Sequence, residues 1–209
     1  MSRRIVINIA SGHHAGSYQA SKEIKSKLEG VFKHEIRIIN LDEHAKSPRQ
    51  YSNKDYDFGN IIEQIQNVGS HDRLVIFLVC GCYALYNTEL CDLSSLKVFV
   101  DSDGDKRLIN LVQQQPGSDS SALVNCIAHY MDDLRPEMMK YIEPTKTNAD
   151  IIIPSGNDAL GAAIIVDGIV KVVEQYQGGG PSDTKRLFPQ LDFNLERMEL
   201  EKERYYELS

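Results

Sequence analysis

The chain is poor in the features that mark several common classes of protein. It contains no tryptophan, and its net charge of −7 argues against a broad nucleic-acid-binding surface, which requires clustered lysine and arginine. No apolar run approaches the roughly 18 residues of a membrane span. We therefore expect a soluble intracellular protein without nucleic-acid or membrane partners, located in the cytoplasm, with the nucleus as a further location.

Cysteine is also scarce, and its spacing does not indicate a metal site. Two of the residues form C-x-C, and no second pair completes a set of zinc ligands. We expect buried, reduced thiols and no bound metal. The cysteines are Cys80, Cys82, Cys91 and Cys126.

What the sequence does contain is a series of short apolar runs separated by segments of helix length. Such runs, rich in β-branched residues, are typical of strands that are buried on both faces of a parallel sheet. The alternation predicts a doubly wound parallel five-stranded α/β sheet with helices on both faces, in which ligands bind beyond the carboxyl ends of the strands. The runs are Ile5–Ile9, Ile36–Ile39, Leu74–Val79, Val98–Val100 and Ile151–Ile153, and the amphipathic segments are Tyr18–Phe32, Phe58–Val68, Ala122–Tyr141 and Ala159–Tyr176.

Two polar stretches interrupt this pattern. Gln113–Ser121 is predicted to be a loop, and Gln177–Lys185, with three consecutive glycines, a flexible linker. The tail that follows is dense in glutamate and arginine with apolar residues at helical spacing. We therefore divide the chain into one domain over residues 1–176 and a linker with a charged terminal helix or arm over residues 177–209.

The first apolar run is followed by "SGHHAGSY", at the place where a phosphate-binding loop, G-x-x-x-x-G-K-S/T, connects a strand to a helix. The loop has serine at the first glycine position, Ser17 at the lysine position and Tyr18 at the Ser/Thr position. Two glycines remain, and backbone N–H groups at such a turn can still close around an anion. The candidate phosphate- or nucleotide-binding residues are Gly12, His13, His14, Ala15, Gly16, Ser17 and Tyr18.

Two longer stretches carry a specific resemblance. "LKVFVDSDGDKRL" (Leu96–Leu108) and "LRPEMMKYIEPTKTNADIIIPSGNDALGAAIIVDGI" (Leu134–Ile169) resemble the uridine–cytidine kinase family, and in particular its divergent fungal members. The resemblance covers most of residues 4–176. It implies a P-loop fold, ATP or GTP with Mg²⁺ as cofactor, transfer of phosphate to the 5′-hydroxyl of a pyrimidine nucleoside, and a homotetramer.

The resemblance also assigns roles to single residues. Asp42 matches the aspartate that acts as general base for the nucleoside hydroxyl, although a loop or helix-capping aspartate is an equal alternative. Arg107 matches an arginine of the family's D-x-R-L motif, and we favour a structural role in which it pairs with Asp103 or Asp105. Cys80 stands where the family carries the glutamate that helps to organise Mg²⁺, and a thiol is a poor ligand for that hard ion.

Other parts of the family's site have no counterpart here. The hairpin that holds the nucleoside base is reduced to residues 69–73, and residues 51–55 carry no aspartate at the place of the one that binds the sugar. The lid loses its arginines, since Arg135 is the only lysine or arginine in residues 109–139. Losses at several separate places predict a kinase-like protein with impaired or absent nucleoside phosphorylation.

Three hypotheses follow, and we favour the first. The chain is a pseudokinase that acts by binding or assembly, as a homo-oligomer or together with an active uridine kinase. Alternatively, it is an active small-molecule kinase that uses Asp42 as base and His13, His14 or Lys22 in place of the missing lysine. The third possibility is a sensor that binds a nucleotide without turnover.

Overall fold

The computed structural model describes residues 4–67, 74–114, 120–155 and 158–176, without the side chains of residues 158 and 159. Within these residues five parallel strands form one sheet in the order β2-β3-β1-β4-β5, with β1 at its centre. The expected doubly wound parallel sheet is therefore confirmed. The strands are β1 (Arg4–Ser11), β2 (Glu35–Asn40), β3 (Val75–Gly81), β4 (Leu96–Asp101) and β5 (Ile151–Pro154).

Helices connect successive strands, as parallel pairing requires. The predicted helix over residues 122–141 is helical throughout, but two π-helical turns, Tyr130–Leu134 and Met138–Ile142, interrupt it. Short 3₁₀ turns lie at Leu41–His44, Asn53–Asp55 and Glu143–Asn148. The α-helices are α1 (Ser17–Val31), α2 (Phe58–Gln66), α3 (Thr88–Asp92), α4 (Gly104–Gln113), α5 (Ser120–His129), α6 (Arg135–Glu137) and α7 (Asp158–Tyr176).

The two faces of the sheet carry separate hydrophobic cores. On one face Ile5, Ile7 and Ile9 of β1 belong to a cluster that includes side chains of α1 and α7. On the other, Val6 and Ala10 belong to a cluster with side chains of α2 and of the second π-helical turn. Successive side chains of a strand point to opposite faces, so burial on both faces explains why the strands contain runs of consecutive apolar residues.

This topology brings several connections to one edge of the sheet. Ala10 near the end of β1 pairs with Gly81 at the end of β3, and Asn40 at the end of β2 pairs with Cys80. The segments that follow these strands must therefore lie side by side. No helix in the described part of the chain is long and apolar enough to cross a membrane. The predicted linker and tail, and the centre of the predicted 113–121 loop, lie outside the described residues.

Candidate functional site

The β1–α1 loop is a tight turn that depends on two residues with positive φ. His14 has φ of 56° and Gly16, which precedes the first turn of α1, has φ of 89°. Nothing surrounds the position of a Cβ at Gly16, so glycine is favoured there by conformation rather than by space. The Ala15 N–H donates to the Gly12 carbonyl at 3.2 Å. One amide that a phosphate-binding loop would offer to a ligand is thus used inside the turn.

Helix α4 holds His14 in this conformation from the outside. The Asn110 side-chain amide donates to the His14 carbonyl at 2.8 Å, and His14 Nδ1 lies 2.8 Å from Gln114 Oε1. Burial lowers the pKa of the His14 imidazole, although the bond to Gln114 opposes this effect. We expect a neutral ring at pH 7, which would add no positive charge to the loop.

Gly12 is required by the packing of a neighbouring side chain. A Cβ at Gly12 would lie 2.7 Å from Arg107 Cδ, which is buried directly against the loop. The Arg107 Nη1 donates to the Ser102 carbonyl, a different partner from the expected Asp103 or Asp105. In this chain the missing Cβ of Gly12 therefore makes room for an arginine.

A cavity of about 580 Å³ lies between the loop, the end of β2 and α4. Lys106 is the one lysine or arginine among the described residues that line it, and its Nζ donates to the Ser155 carbonyl at 2.8 Å. Asp42 and Glu23 add carboxylates, and Glu23 pairs with Lys27 at 3.0 Å. The lining is Ser11, Gly12, His14, Ala15, Gly16, Ser17, Tyr18, Gln19, Ala20, Glu23, Asp42, Val100, Lys106, Asn110, Gln114 and Ser155.

A larger groove of about 940 Å³ lies along the edge strand β2 and helix α2. It runs beside the strand and not beyond its carboxyl end, which is where ligands bind in sheets of this kind. We therefore take the smaller cavity under the loop as the candidate site.

Asp42 lies in the 3₁₀ turn after β2 and reaches across to the end of β3. Its Oδ1 accepts the Cys82 N–H at 3.1 Å, and the Asn40 side chain accepts its own N–H at 3.3 Å. Gly81, with φ of 134°, allows this approach, because a Cβ there would lie 3.0 Å from Asp42 Oδ1. The carboxylate is exposed to the cavity but tied to the sheet.

Behind the loop lies a buried polar network that the sequence did not reveal. Glu137 of α6 accepts hydrogen bonds from Arg49 Nη2 and from the Tyr83 hydroxyl, both at 2.9 Å to Oε1. The His13 Nε2 lies 2.9 Å from Glu137 Oε2, and its Nδ1 lies 3.4 Å from Cys82 Sγ. Arg49 and Glu137 are 88 residues apart, and no motif connects them. Only the folded chain shows that they meet.

Asp55 belongs to the same region and serves the backbone. Its carboxylate accepts the Gln50 N–H at 2.9 Å and the Ser52 N–H at 3.4 Å, and it lies 3.8 Å from Arg49 Nε. With 1% of its surface exposed, it closes the turn that precedes α2. It is not a candidate ligand for a sugar.

The structure thus gathers most, but not all, of the proposed site residues around one cavity. Gly12, His14, Ala15, Gly16, Ser17, Tyr18 and Asp42 line it, whereas His13 and Arg107 are absent from its lining. Lys22, a candidate substitute for the missing lysine, lies over the Tyr18 ring at 4.2 Å and does not line the cavity.

The cysteines are free and mostly buried, in agreement with the expectation of reduced thiols. Burial raises the pKa of the Cys80 thiol to about 12 and that of Cys82 well above its usual range, so both remain protonated at neutral pH. The described residues contain no group of three or more histidine, cysteine and acidic side chains that could hold a metal ion.

Comparisons with known proteins agree with the fold and give the family. The model of the Phosphoribulokinase / Uridine kinase family matches residues 33–161, a stretch that begins after α1 and leaves out the β1–α1 loop. The shikimate kinase of Bacteroides thetaiotaomicron superposes with a TM-score of 0.50 at 14% identity, over 81% of this chain and 98% of that enzyme. This likeness supports the α/β P-loop kinase fold alone.

Sequence relatives extend the match to the whole chain. The protein named "Putative uridine kinase DAS2" from Saccharomyces cerevisiae is 42% identical over 224 aligned positions, which cover 99% of this chain and 97% of the yeast protein. The uridine kinase of Staphylococcus carnosus is 28% identical over 190 positions, 75% of this chain and 89% of that enzyme. On this evidence, together with the fold, the chain belongs to the phosphoribulokinase/uridine kinase family.

Proposed function

We propose that this family member does not phosphorylate nucleosides and that it acts by binding. The observation that carries the proposal is the charge around the loop. Ser17 stands in the position of the phosphate-binding lysine, and the one lysine or arginine among the described lining residues, Lys106, donates to a backbone carbonyl. Phosphoryl transfer depends on cations that neutralise the developing charge, and each missing group of this kind costs about 10²–10³ in rate.

The donors for Mg²⁺ are also a poor fit. Tyr18 stands in the position of the Ser/Thr hydroxyl that would bind Mg²⁺. Tyr18 lines the cavity, and its ring also packs against Lys22. Cys80 stands in the place of the metal-organising glutamate, and its side chain belongs to the hydrophobic core on the α1 and α7 face. A protonated thiol in apolar surroundings does not ligate a hard cation.

The acceptor side of the cleft supports the same conclusion. Asp42 occupies the position of the base, but its carboxylate already accepts an N–H from Cys82. Next to it, Cys82 contacts the buried His13 ring, which in turn lies against the buried Glu137, the acceptor of the Tyr83 hydroxyl. A base without a bound hydroxyl has no proton to remove.

Binding of a nucleotide without transfer is the second candidate. The 580 Å³ cavity, the positive φ of His14 and Gly16, and the N-terminus of α1 favour it, since such turns present backbone N–H groups to anions. ATP and GTP are the ligands that we would test. Assembly with a second copy or with an active uridine kinase remains part of the proposal.

The test is a direct assay on the pure full-length chain. We expect uridine and cytidine, with ATP or GTP and Mg²⁺, to give product at less than about 10⁻⁴ of the rate of the Staphylococcus carnosus uridine kinase measured in parallel. A higher rate that is abolished by Asp42→Asn would establish an active kinase and overturn the proposal. Calorimetry with the same nucleotides separates the two candidates, because saturable heat without product identifies a sensor.

A further inference from the structure

The carboxylate of Glu137 is surrounded as a bound ligand would be. Arg49 Nη2 donates to both of its oxygens, at 2.9 Å to Oε1 and 3.2 Å to Oε2. The Tyr83 hydroxyl donates at 2.9 Å, and His13 Nε2 lies 2.9 Å away on the opposite oxygen. The Glu137 side chain has 0% exposure. Two donors and one histidine nitrogen, from three distant segments, therefore converge on one carboxylate.

The chemistry of these donors suits a carboxylate or a phosphate. Guanidinium groups recognise such oxyanions through directed N–H bonds. Burial, followed by the Glu137 charge, raises the pKa of the Tyr83 phenol, so the hydroxyl keeps its proton and donates. Burial works against the charge on Arg49, but Tyr56 and Glu137 outweigh it, and the pKa of the guanidinium is raised.

The site is not fully satisfied by its internal occupant. His13 is buried, with 7% exposure, and its Nε2 has no hydrogen-bond partner of acceptable geometry, although the Glu137 oxygen is only 2.9 Å away. A buried imidazole nitrogen so close to the carboxylate, without a hydrogen bond of acceptable geometry, is an observation independent of the Arg49 and Tyr83 bonds.

The helix that supplies Glu137 is distorted where it does so. Glu137 ends the three-residue α6, which lies between the two π-helical turns. Such turns are rare and occur frequently at functional sites, because they change which side chains face inward. In this stretch Leu134, Glu137 and Met138 are all buried.

We propose that Arg49, Tyr83 and His13 form an anion-binding site for a carboxylate and that Glu137 is its built-in ligand. Through the contact of His13 with Cys82, and of Cys82 with Asp42, the occupied site holds the β1–α1 loop against the end of β3. The anion site itself is inferred from these contacts alone. Its further role, which rests on the proposed function, is to block access of a nucleoside to the space beside Asp42.

The experiment is chemical rescue of Glu137→Ala. The atoms removed correspond to acetate, so acetate is the probe. We expect the variant to lose on the order of 10 °C in Tm, because the partly buried Arg49 and the buried Tyr83 and His13 side chains lose their anion. Acetate should restore a saturable part of this loss, whereas chloride at equal ionic strength should not. The wild type and Glu143→Ala, which removes an exposed carboxylate of the same segment, should respond equally little.

An acetate response that is equal in Glu137→Ala, the wild type and Glu143→Ala would overturn the proposal. If Glu137→Ala does not fold, Glu137→Gln decides through alkylation of thiols mapped by mass spectrometry. Loss of the charge should loosen the loop and speed labelling of Cys82 by about tenfold. Cys80, buried on the other face of the sheet, is the internal control. An unchanged alkylation rate of Cys82 would refute the role of Glu137 in holding the loop closed.

These readouts do not depend on catalysis. Rescue by acetate together with efficient uridine phosphorylation would remove the proposed function and leave the anion site in place. Absence of rescue together with absence of phosphorylation would do the reverse.

Discussion

Two consecutive residues of the β1–α1 loop face opposite environments. His14 lines the open cavity and is held by Asn110 of α4 and by Gln114, the residue that follows this helix. His13 turns into the protein, where it contacts Cys82 and Glu137. The loop therefore separates an open side from a closed side.

The two sides differ in space and in charge. The open side contains a cavity of about 580 Å³, in which Lys106 is the one lysine or arginine among the described lining residues. The closed side contains the buried Glu137 carboxylate with the partly buried Arg49 guanidinium against it. Under the proposed function, restoring the loop lysine alone should not create a nucleoside kinase, because the closed side remains occupied by Glu137.

The largest expected effect comes from breaking the closed side at Arg49. Arg49→Met should leave Glu137 and Asp55 buried without their cation and lower the free energy of unfolding by about 3 kcal/mol in a urea titration. Arg37→Met is the matched control, because Arg37 forms an exposed pair with Glu35, and its loss should stay below about 1 kcal/mol. Equal losses in the two variants would show that the network contributes nothing special.

The second effect concerns Gly81, which lies between the two sides. Gly81→Ala forces a side chain onto a φ of 134° and places its Cβ 3.0 Å from Asp42 Oδ1 and from Leu41 Cβ. We expect a loss of about 2 kcal/mol in thermal or urea unfolding. Gly30→Ala in α1, where nothing surrounds the added Cβ, should instead be neutral or stabilising by about 0.5–1 kcal/mol. Equal stability of Gly81→Ala and the wild type would contradict the required close approach.

A smaller effect is expected when one donor of the closed side is removed without changing its shape. Tyr83→Phe deletes the hydroxyl bound to Glu137 and should cost about 1.5 kcal/mol in urea unfolding, since the acceptor is charged and buried. Tyr86, which packs against Tyr83 in the same aromatic cluster, provides the control Tyr86→Phe, with a change near zero. A larger loss at Tyr86 than at Tyr83 would argue against the Glu137 bond as the source.

The smallest effect tests the open side through pH. Burial lowers the pKa of His14 from its ordinary value of 6.5, so the unfolded chain binds the proton more readily than the folded chain. The stability associated with a neutral His14 is present above that ordinary value and is lost as the pH falls below it. His14→Asn, which tolerates the positive φ, should weaken the fall in urea midpoint between about pH 7.5 and about pH 5.5. The same pH dependence in both proteins would refute this assignment.

Particular residues show how far sequence reasoning reached. The apolar runs predicted the positions of all five strands of the sheet, because a strand that is buried on both faces contains consecutive apolar residues. The loop motif placed Gly12, Gly16 and Ser17 at the cavity, and the position after β2 placed Asp42 there. The sequence did not predict the orientations of His13 and Arg107. Adjacent loop residues can point to opposite sides, and Arg107 donates to the Ser102 carbonyl and not to an aspartate.

The sequence by itself determined the sheet and the family, because these depend on local patterns and on residues near one another in the chain. The tertiary structure alone decided that Arg49, Tyr83 and Glu137 meet beneath His13. Arg49 and Tyr83 lie 88 and 54 residues before Glu137 in the chain, and no sequence pattern relates positions so far apart. Buried charges are tolerated only where their partners lie within hydrogen-bonding distance, and that condition is met only once the sheet and the distorted helix are assembled.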